Sequence, residues 1–250
     1  MSKTAFITGA TSGIGKATAE VFAQNGINLI ICGRREDRLK ELAETLGKSV
    51  AVHTCIFDVR DKEAVFKAVE SLPAEFKQID ILINNAGNAH GLEPLNEGNP
   101  DDWDSMIDIN VKGLLYVSKA IMPIMVERKS GHIINIGSVA GKEVYANGNV
   151  YCASKYAVDA LNQGMRIDLN EYGIKVGAIN PGLVETEFSM VRFKGDKDKA
   201  DKVYQGLDAL TPLDIAETIM FMVSRPPHVN IADLLIFPTA QASATKVKRD

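Results

Sequence analysis

The sequence predicts an α/β fold, a doubly wound parallel sheet with helices on both faces, and two observations carry that expectation. Short β-branched runs alternate with longer helical patterns from the first residues to about Phe237, the sequence signature of strand–helix–strand crossovers. A glycine-rich run, Thr8-Gly9-Ala10-Thr11-Ser12-Gly13-Ile14-Gly15, falls where the first strand turns into the first helix, where such sheets hold a phosphate. No linker, repeat or low-complexity block divides the 250 residues, so a single domain over 1–250 is expected.

The first strand is expected near 3–8 and the first helix near 13–25, where Ile14, Ala17, Val21 and Phe22 repeat on one face and Gly26 follows as a left-handed cap. A strand near 28–32 leads to a helix near 35–46, whose Glu36 and Asp37 suit the positive end of a helix dipole. Strands near 50–56 and 79–84 flank a helix near 61–71, and a long helix near 101–128 starts beside Trp103. Strand 132–137, helix 150–172 and strand 174–179 follow. Methionines 106, 122, 125, 220 and 222 suit buried helix faces. The alternation breaks at 183–211 before a last helix near 213–224 and strand near 233–237. A long segment leaving the carboxyl end of a strand often covers the ligand crevice, so 183–211 is expected to be a substrate lid.

Composition excludes several classes. An apolar share of 46%, a charged share of 24% and a net charge of -4, with Arg34, Arg35, Lys40, Lys67 and Lys112 scattered, point away from a nucleic-acid partner. No continuous apolar run approaches the ~20 residues of a spanning helix, and the opening lacks signal-peptide order, so a cytoplasmic protein without a membrane partner is expected. Cys32, Cys55 and Cys152 have no metal-binding or disulfide spacing and read as small buried residues. His53, His90, His132 and His228 are dispersed, so no metal is expected.

The glycines would let the backbone approach a pyrophosphate, whose charge the helix N-terminus favours. At the end of the second strand Gly33 stands where an acid would bind the ribose of NAD, and Arg34 and Arg35 follow. Arginine there accommodates a 2′-phosphate, so NADP is favoured over NAD. Tyr151 and Lys155 lie four residues apart in one predicted helix, sharing a face, with Ser138 upstream after a strand. A cation beside a phenol lowers its pKa, and a hydroxyl can hold a substrate oxygen while the phenol exchanges a proton with it.

Together with Asn84-Asn85-Ala86-Gly87, Asn110 and Asn180-Pro181-Gly182, these motifs stand in the order of the short-chain dehydrogenase/reductase family, which the chain resembles over nearly its whole length. The resemblance implies a Rossmann-type sheet of seven parallel strands, with a cofactor part at about 1–130, a catalytic part at about 131–182 and the lid at 183–211. It implies Tyr151 as acid–base, Ser138 as the group polarising the substrate oxygen, Lys155 on the nicotinamide ribose, and Asn110 anchoring a water-linked proton relay. Gly9, Ser12, Gly13, Ile14 and Gly15 would line the pyrophosphate, and Asp58 would meet the adenine. Asn85, Ala86 and Gly87 would flank the adenosine, and Thr186, after Pro181 and Gly182, the carboxamide. Asn84 would bridge strands. Relatives of this kind are tetramers through helices 101–128 and 150–172, with tails like 238–250 reaching a neighbouring site.

A narrower resemblance lies in Leu72-Pro73-Ala74-Glu75-Phe76, Val191-Arg192-Phe193-Lys194-Gly195-Asp196, Leu210-Thr211-Pro212 and Pro227-His228-Val229-Asn230-Ile231. These look like the NADP-dependent 3-hydroxy acid dehydrogenases, which implies small hydroxy acids such as L-serine, L-allo-threonine, 3-hydroxyisobutyrate or 3-hydroxypropionate. A carboxylate in a dry pocket needs a cation, and Arg192 and Lys194 are the candidates, with Lys142 and Asn147 as further polar groups near the mouth. The alternatives are a broad carbonyl or 3-oxoacyl reductase and a non-catalytic dinucleotide-sensing module.

Overall fold

The computed structural model describes residues 2–250. Among them the strands β1 (Thr4–Thr8), β2 (Asn28–Gly33), β3 (Val52–Ile56), β4 (Ile81–Asn84), β5 (His132–Ile136), β6 (Lys175–Pro181) and β7 (Asp233–Ile236) form one sheet. Its order is β3-β2-β1-β4-β5-β6-β7 and every pairing is parallel. The order reverses between β1 and β4, which opens a crevice at the carboxyl ends of those strands. Runs such as Ala5-Phe6-Ile7 and Ile81-Leu82-Ile83 are buried on both sides, as a doubly covered sheet requires.

Helices α1 (Gly13–Gln24), α2 (Glu36–Leu46) and α9 (Pro212–Val223) cover one face, where Phe22, Leu39, Leu42, Ile215 and Ile219 pack on Ile7, Ile31 and Ile83. Gly26 takes the expected left-handed φ of 72°. Helices α3 (Lys62–Glu70), α4 (Pro100–Ile107), α5 (Leu114–Arg128) and α6 (Asn149–Asp168) belong to the other. Val65, Val117, Ile121, Val158 and Met165 meet Phe6, Ile30, Leu82 and Ile133 there. The continuous helical run 100–128 is long and apolar enough to cross a membrane, yet its Leu114, Val117, Ile121 and Met125 are spent on the sheet.

Two departures from the predicted elements bear on the site. Helix 101–128 is interrupted by a π turn, Asp108–Gly113, which carries Asn110; such wide turns recur at functional sites. The segment 183–211 contains two short helices, α7 (Phe188–Arg192) and α8 (Lys197–Lys202), and its two ends are joined to each other by Glu185 N to Leu210 O and Leu210 N to Leu183 O. The strongest surprise is the tail. Residues 238–250 fold back on their own chain: Gln241 Oε1 accepts from Leu183 N at 2.8 Å, Ala244 N donates to Glu143 Oε2 at 2.8 Å, and Arg249 donates to the Val203 and Gln205 carbonyls.

Candidate active site

The crevice holds a cavity of about 920 Å³ bounded by the glycine-rich turn, the ends of β2 to β6, the segment 183–211 and the tail. Of the catalytic, cofactor and substrate residues singled out from sequence, Gly15, Asn84, Asn110, Lys142, Asn147 and Lys194 do not line it.

The glycine-rich turn joins β1 to α1. Gly9 and Gly13 hold φ of 65° and 52°, which favours glycine. A Cβ at Gly15 would meet the Gly9 carbonyl oxygen and Asn85 Nδ2, so Gly15 is a packing glycine that lets α1 start against the turn. Thr8 Oγ1 accepts from Asn85 N and Ala86 N at 3.0 Å each, and Asn85 Nδ2 donates to Thr8 O at 2.8 Å. The cradle is therefore fastened to the 84–87 loop. Arg35 donates to the hydroxyls of Thr11 and Ser12, and Arg34 reaches Asp58 at 3.4 Å. Asp58 is also held by Arg60, so an adenine amino group there would share its carboxylate with two arginines. Sequence reasoning missed Arg38 and Glu187. Glu187 pairs with Arg35 and Arg38 at 2.7 Å each, and these guanidiniums, against some burial, hold its carboxyl down at about 2. Arg38 could have been found as the same-face neighbour of Arg35 on the first turn of α2.

Ser138 ends the segment after β5 in extended backbone, and its oxygen accepts from Ala140 N at 3.1 Å, leaving the hydroxyl proton free to donate. Tyr151 and Lys155 project from α6 and are both buried. Lys155 Nζ donates to Ile136 O at 2.9 Å, and burial lowers its pKa to about 8. The expected lowering of the Tyr151 pKa by Lys155 is not what the structure shows. Burial pushes the phenol up, Tyr145 adds to this, and the groups that oppose it are the Ser138 hydroxyl and the charge of Arg192. The physical reason is that the ammonium is turned to the Ile136 carbonyl in a site where desolvation dominates.

Asn110 sits beneath the cavity. Its Oδ1 accepts from Asn88 N at 2.9 Å, and its amide hydrogens go to Asn88 O at 2.8 Å and Ser154 Oγ at 3.0 Å. Both donors are committed, so the side chain braces the 85–90 loop against α6. Asn84 bridges strands as expected: its Nδ2 donates to Asn135 Oδ1 and Ser118 Oγ at 2.9 Å each. The chain of amides continues from Asn135 to Asn162 on α6 and from Asn162 to Ala232 O, fixing the helix that carries Tyr151.

The candidate cations of the segment 183–211 separate. Arg192 reaches the cavity wall, donating to the Tyr145 hydroxyl at 3.0 Å and Gly91 O at 3.1 Å, with its guanidinium 5.6 Å from the centres of the Tyr145 and Tyr151 rings. Lys194 does not: its ammonium pairs with Asp102 on α4 at 2.9 Å, outside the cavity lining. Lys142 is likewise corrected, since Asp159 and Asp233 hold it at 2.7 and 2.8 Å away from the mouth. Asn147 adopts a left-handed φ of 65° and does not line the cavity.

A short chain dehydrogenase family model matches residues 3–197. The chain belongs to that family. Its fold and its activity class, oxidoreduction of CH–OH groups, follow from that membership. It is 48% identical over 239 residues, 95% of this chain and 96% of the relative, to the NADP-dependent 3-hydroxy acid dehydrogenase of Escherichia coli K12. It is 44% identical to sulfoacetaldehyde reductase 2 of Chromohalobacter salexigens, with the whole of each chain covered. Among solved structures, the closed form of a serine dehydrogenase complexed with NADP+ superposes with a TM-score of 0.93 at 46% identity, covering 99% of this chain and all of that one.

Proposed function

We propose that the chain oxidises the 3-hydroxyl of small hydroxy acids, L-serine, L-allo-threonine, 3-hydroxyisobutyrate or 3-hydroxypropionate, with NADP, and reduces the matching carbonyls. The observation that carries this reading is Arg192, a cation fixed beside the ring of Tyr151 by Tyr145 and Gly91. A substrate with an acid group a few atoms from its reacting hydroxyl suits a cation so placed. The relatives that act on 3-hydroxy acids or serine support the same substrate class.

The residues present fit a dinucleotide phosphate. A Cβ at Gly9 would meet Asn85 and Ala86, and Arg35 just past β2, with Thr11 and Ser12 of the glycine-rich turn, offers donors. When bound, NADP supplies the hydride acceptor. The protein supplies the rest. Ser138 donates its free hydroxyl proton to the substrate oxygen, and Tyr151 as phenolate takes the proton of the substrate hydroxyl, returning it in the reductive direction. Lys155 holds the nicotinamide ribose, and Asn110 keeps the loop and α6 in register for this exchange. Phe188, tilted on Tyr151 with ring centres 5.6 Å apart, helps keep water from the phenol.

Arg192→Ala is expected to raise KM for L-serine about 10- to 100-fold, the loss of a charge-assisted hydrogen bond, with a smaller change in kcat. An unchanged KM refutes the role given to Arg192. Sulfoacetaldehyde is a second candidate, favoured by the full-length 44% relative and by an acid group that Arg192 could equally hold. A panel read by NADPH absorbance separates the readings: L-serine, L-allo-threonine and 3-hydroxypropionate with NADP, against sulfoacetaldehyde, oxoacyl esters and diketones with NADPH. The assembly proposed is a homotetramer, for which Leu115 on α5 and Tyr156 and Ile167 on α6 offer exposed apolar side chains. Light scattering tests it.

A further inference from the structure

The segment 186–192 crosses the cleft as a strap. Thr186 lies against the cradle, where a Cβ on Gly13 would touch it at 3.4 Å. Phe188 rests on Tyr151. At the far end Gly91 N donates to Arg192 O at 3.0 Å and Arg192 Nε donates back to Gly91 O at 3.1 Å. Between these contacts Glu187 turns to α2, where Oε2 accepts from Arg35 Nη1 and Oε1 from Arg38 Nη1, each at 2.7 Å.

Arg35 has little capacity left. Its Nε and Nη2 donate to Thr11 Oγ1 at 3.0 and 2.7 Å, Nη2 also to Ser12 Oγ at 2.7 Å, and Nη1 to Glu187. A guanidinium has five N–H donors in a fixed fork, so a phosphate that engages Arg35 with two oxygens must replace one of these acceptors. Thr11 and Ser12 are neutral hydroxyls that can stay beside a phosphate. Glu187 carries the same sign of charge as the phosphate and is the partner it would exclude. The exchange is easy, because the arginines and the carboxylate are close to half exposed and such pairs are weak.

We propose that Glu187 is an internal stand-in for the coenzyme 2′-phosphate: it competes with that phosphate for Arg35 and Arg38, and seating the phosphate releases the strap at its adenosine end. Arg38 then joins Arg35 as a second reader of the phosphate. NAD has no such group, leaves the Glu187 pairs in place, and gains nothing from their loss. The inference rests on the reading above in one respect, the assignment of Arg35 to the 2′-phosphate.

Equilibrium binding of NADP and NAD to the full chain, by titration calorimetry, tests it in the variants Glu187→Gln, Arg38→Ala and Arg35→Ala. Glu187→Gln is expected to bind NADP about three- to tenfold more tightly, and Arg38→Ala about three- to tenfold more weakly, each with NAD affinity unchanged. Unchanged NAD affinity also certifies that the variants are folded. Weaker NADP binding by Glu187→Gln overturns the proposal, because the carboxylate would then be orienting the arginines and not competing. Equal changes for both coenzymes overturn it too. Normal NADP affinity in Arg35→Ala overturns the phosphate assignment itself, a failure distinct from that of the competition, which Glu187→Gln decides.

Discussion

Tyr151→Phe is expected to lower kcat by about a thousandfold, within the range assigned to a positioned acid–base, while the dissociation constant for NADP stays within about twofold of wild type. The substitution removes one oxygen from a buried ring and leaves its packing against Phe188 and the 89–106–140–152 cluster intact. What is lost is the proton carrier beside Ser138. Burial raises the phenol pKa in this structure, and the Ser138 hydroxyl and the charge of Arg192 oppose that rise. Phenylalanine offers no proton at any pH. Single-turnover measurements on the preformed NADP complex separate this loss from weakened binding. Residual turnover within tenfold of wild type would remove Tyr151 from the role assigned to it.

The parts of this site that the sequence reveals are those written locally. The cradle is eight consecutive residues, and Tyr151 and Lys155 share a helix face because they are four apart, so spacing alone brings their chemistry together. The seven strands were legible for the same reason, each being a short run between two helices. What sequence could not show is which distant partner each charge finds. Lys194 and Lys142 were plausible substrate cations until Asp102, and Asp159 with Asp233, took them. Glu187 meets Arg38 across 149 positions, and Arg192 meets Gly91 across 101. Spacing brings Lys155 near Tyr151 but does not reveal burial, which is the largest influence on both groups here. The tail's return to its own chain depends on Gln241 reaching Leu183, another contact that no local pattern announces.

His132→Met is expected to abolish most of a loss of stability, about 2 kcal/mol, that the wild-type protein suffers between pH 7 and pH 5. His132 opens β5, lies in register with Lys175 of β6, and is 4% exposed. Among the described residues neither ring nitrogen, both buried, has a hydrogen-bond partner. Burial, reinforced by the charges of Lys175 and Lys3, lowers its pKa from 6.5 to about 3. The folded-state pKa thus lies below the unfolded one, so between these values the unfolded chain binds a proton that the folded chain refuses. The stability that this confers is complete above pH 6.5 and drains away as pH falls towards 3, to a total of about 5 kcal/mol at 1.36 kcal/mol per unit. That is a large share of the 5–15 kcal/mol typical of a domain. His90, whose pKa burial also lowers, titrates in wild type and variant alike, so the difference between them isolates His132. Methionine keeps the volume apolar and removes two orphaned nitrogens, so the variant should be no less stable at pH 7. Denaturant unfolding of both proteins at the two pH values, at equal protein concentration, measures the difference. Equal losses would mean that His132 keeps its proton in the folded protein, and that β5 opens on a paired histidine after all.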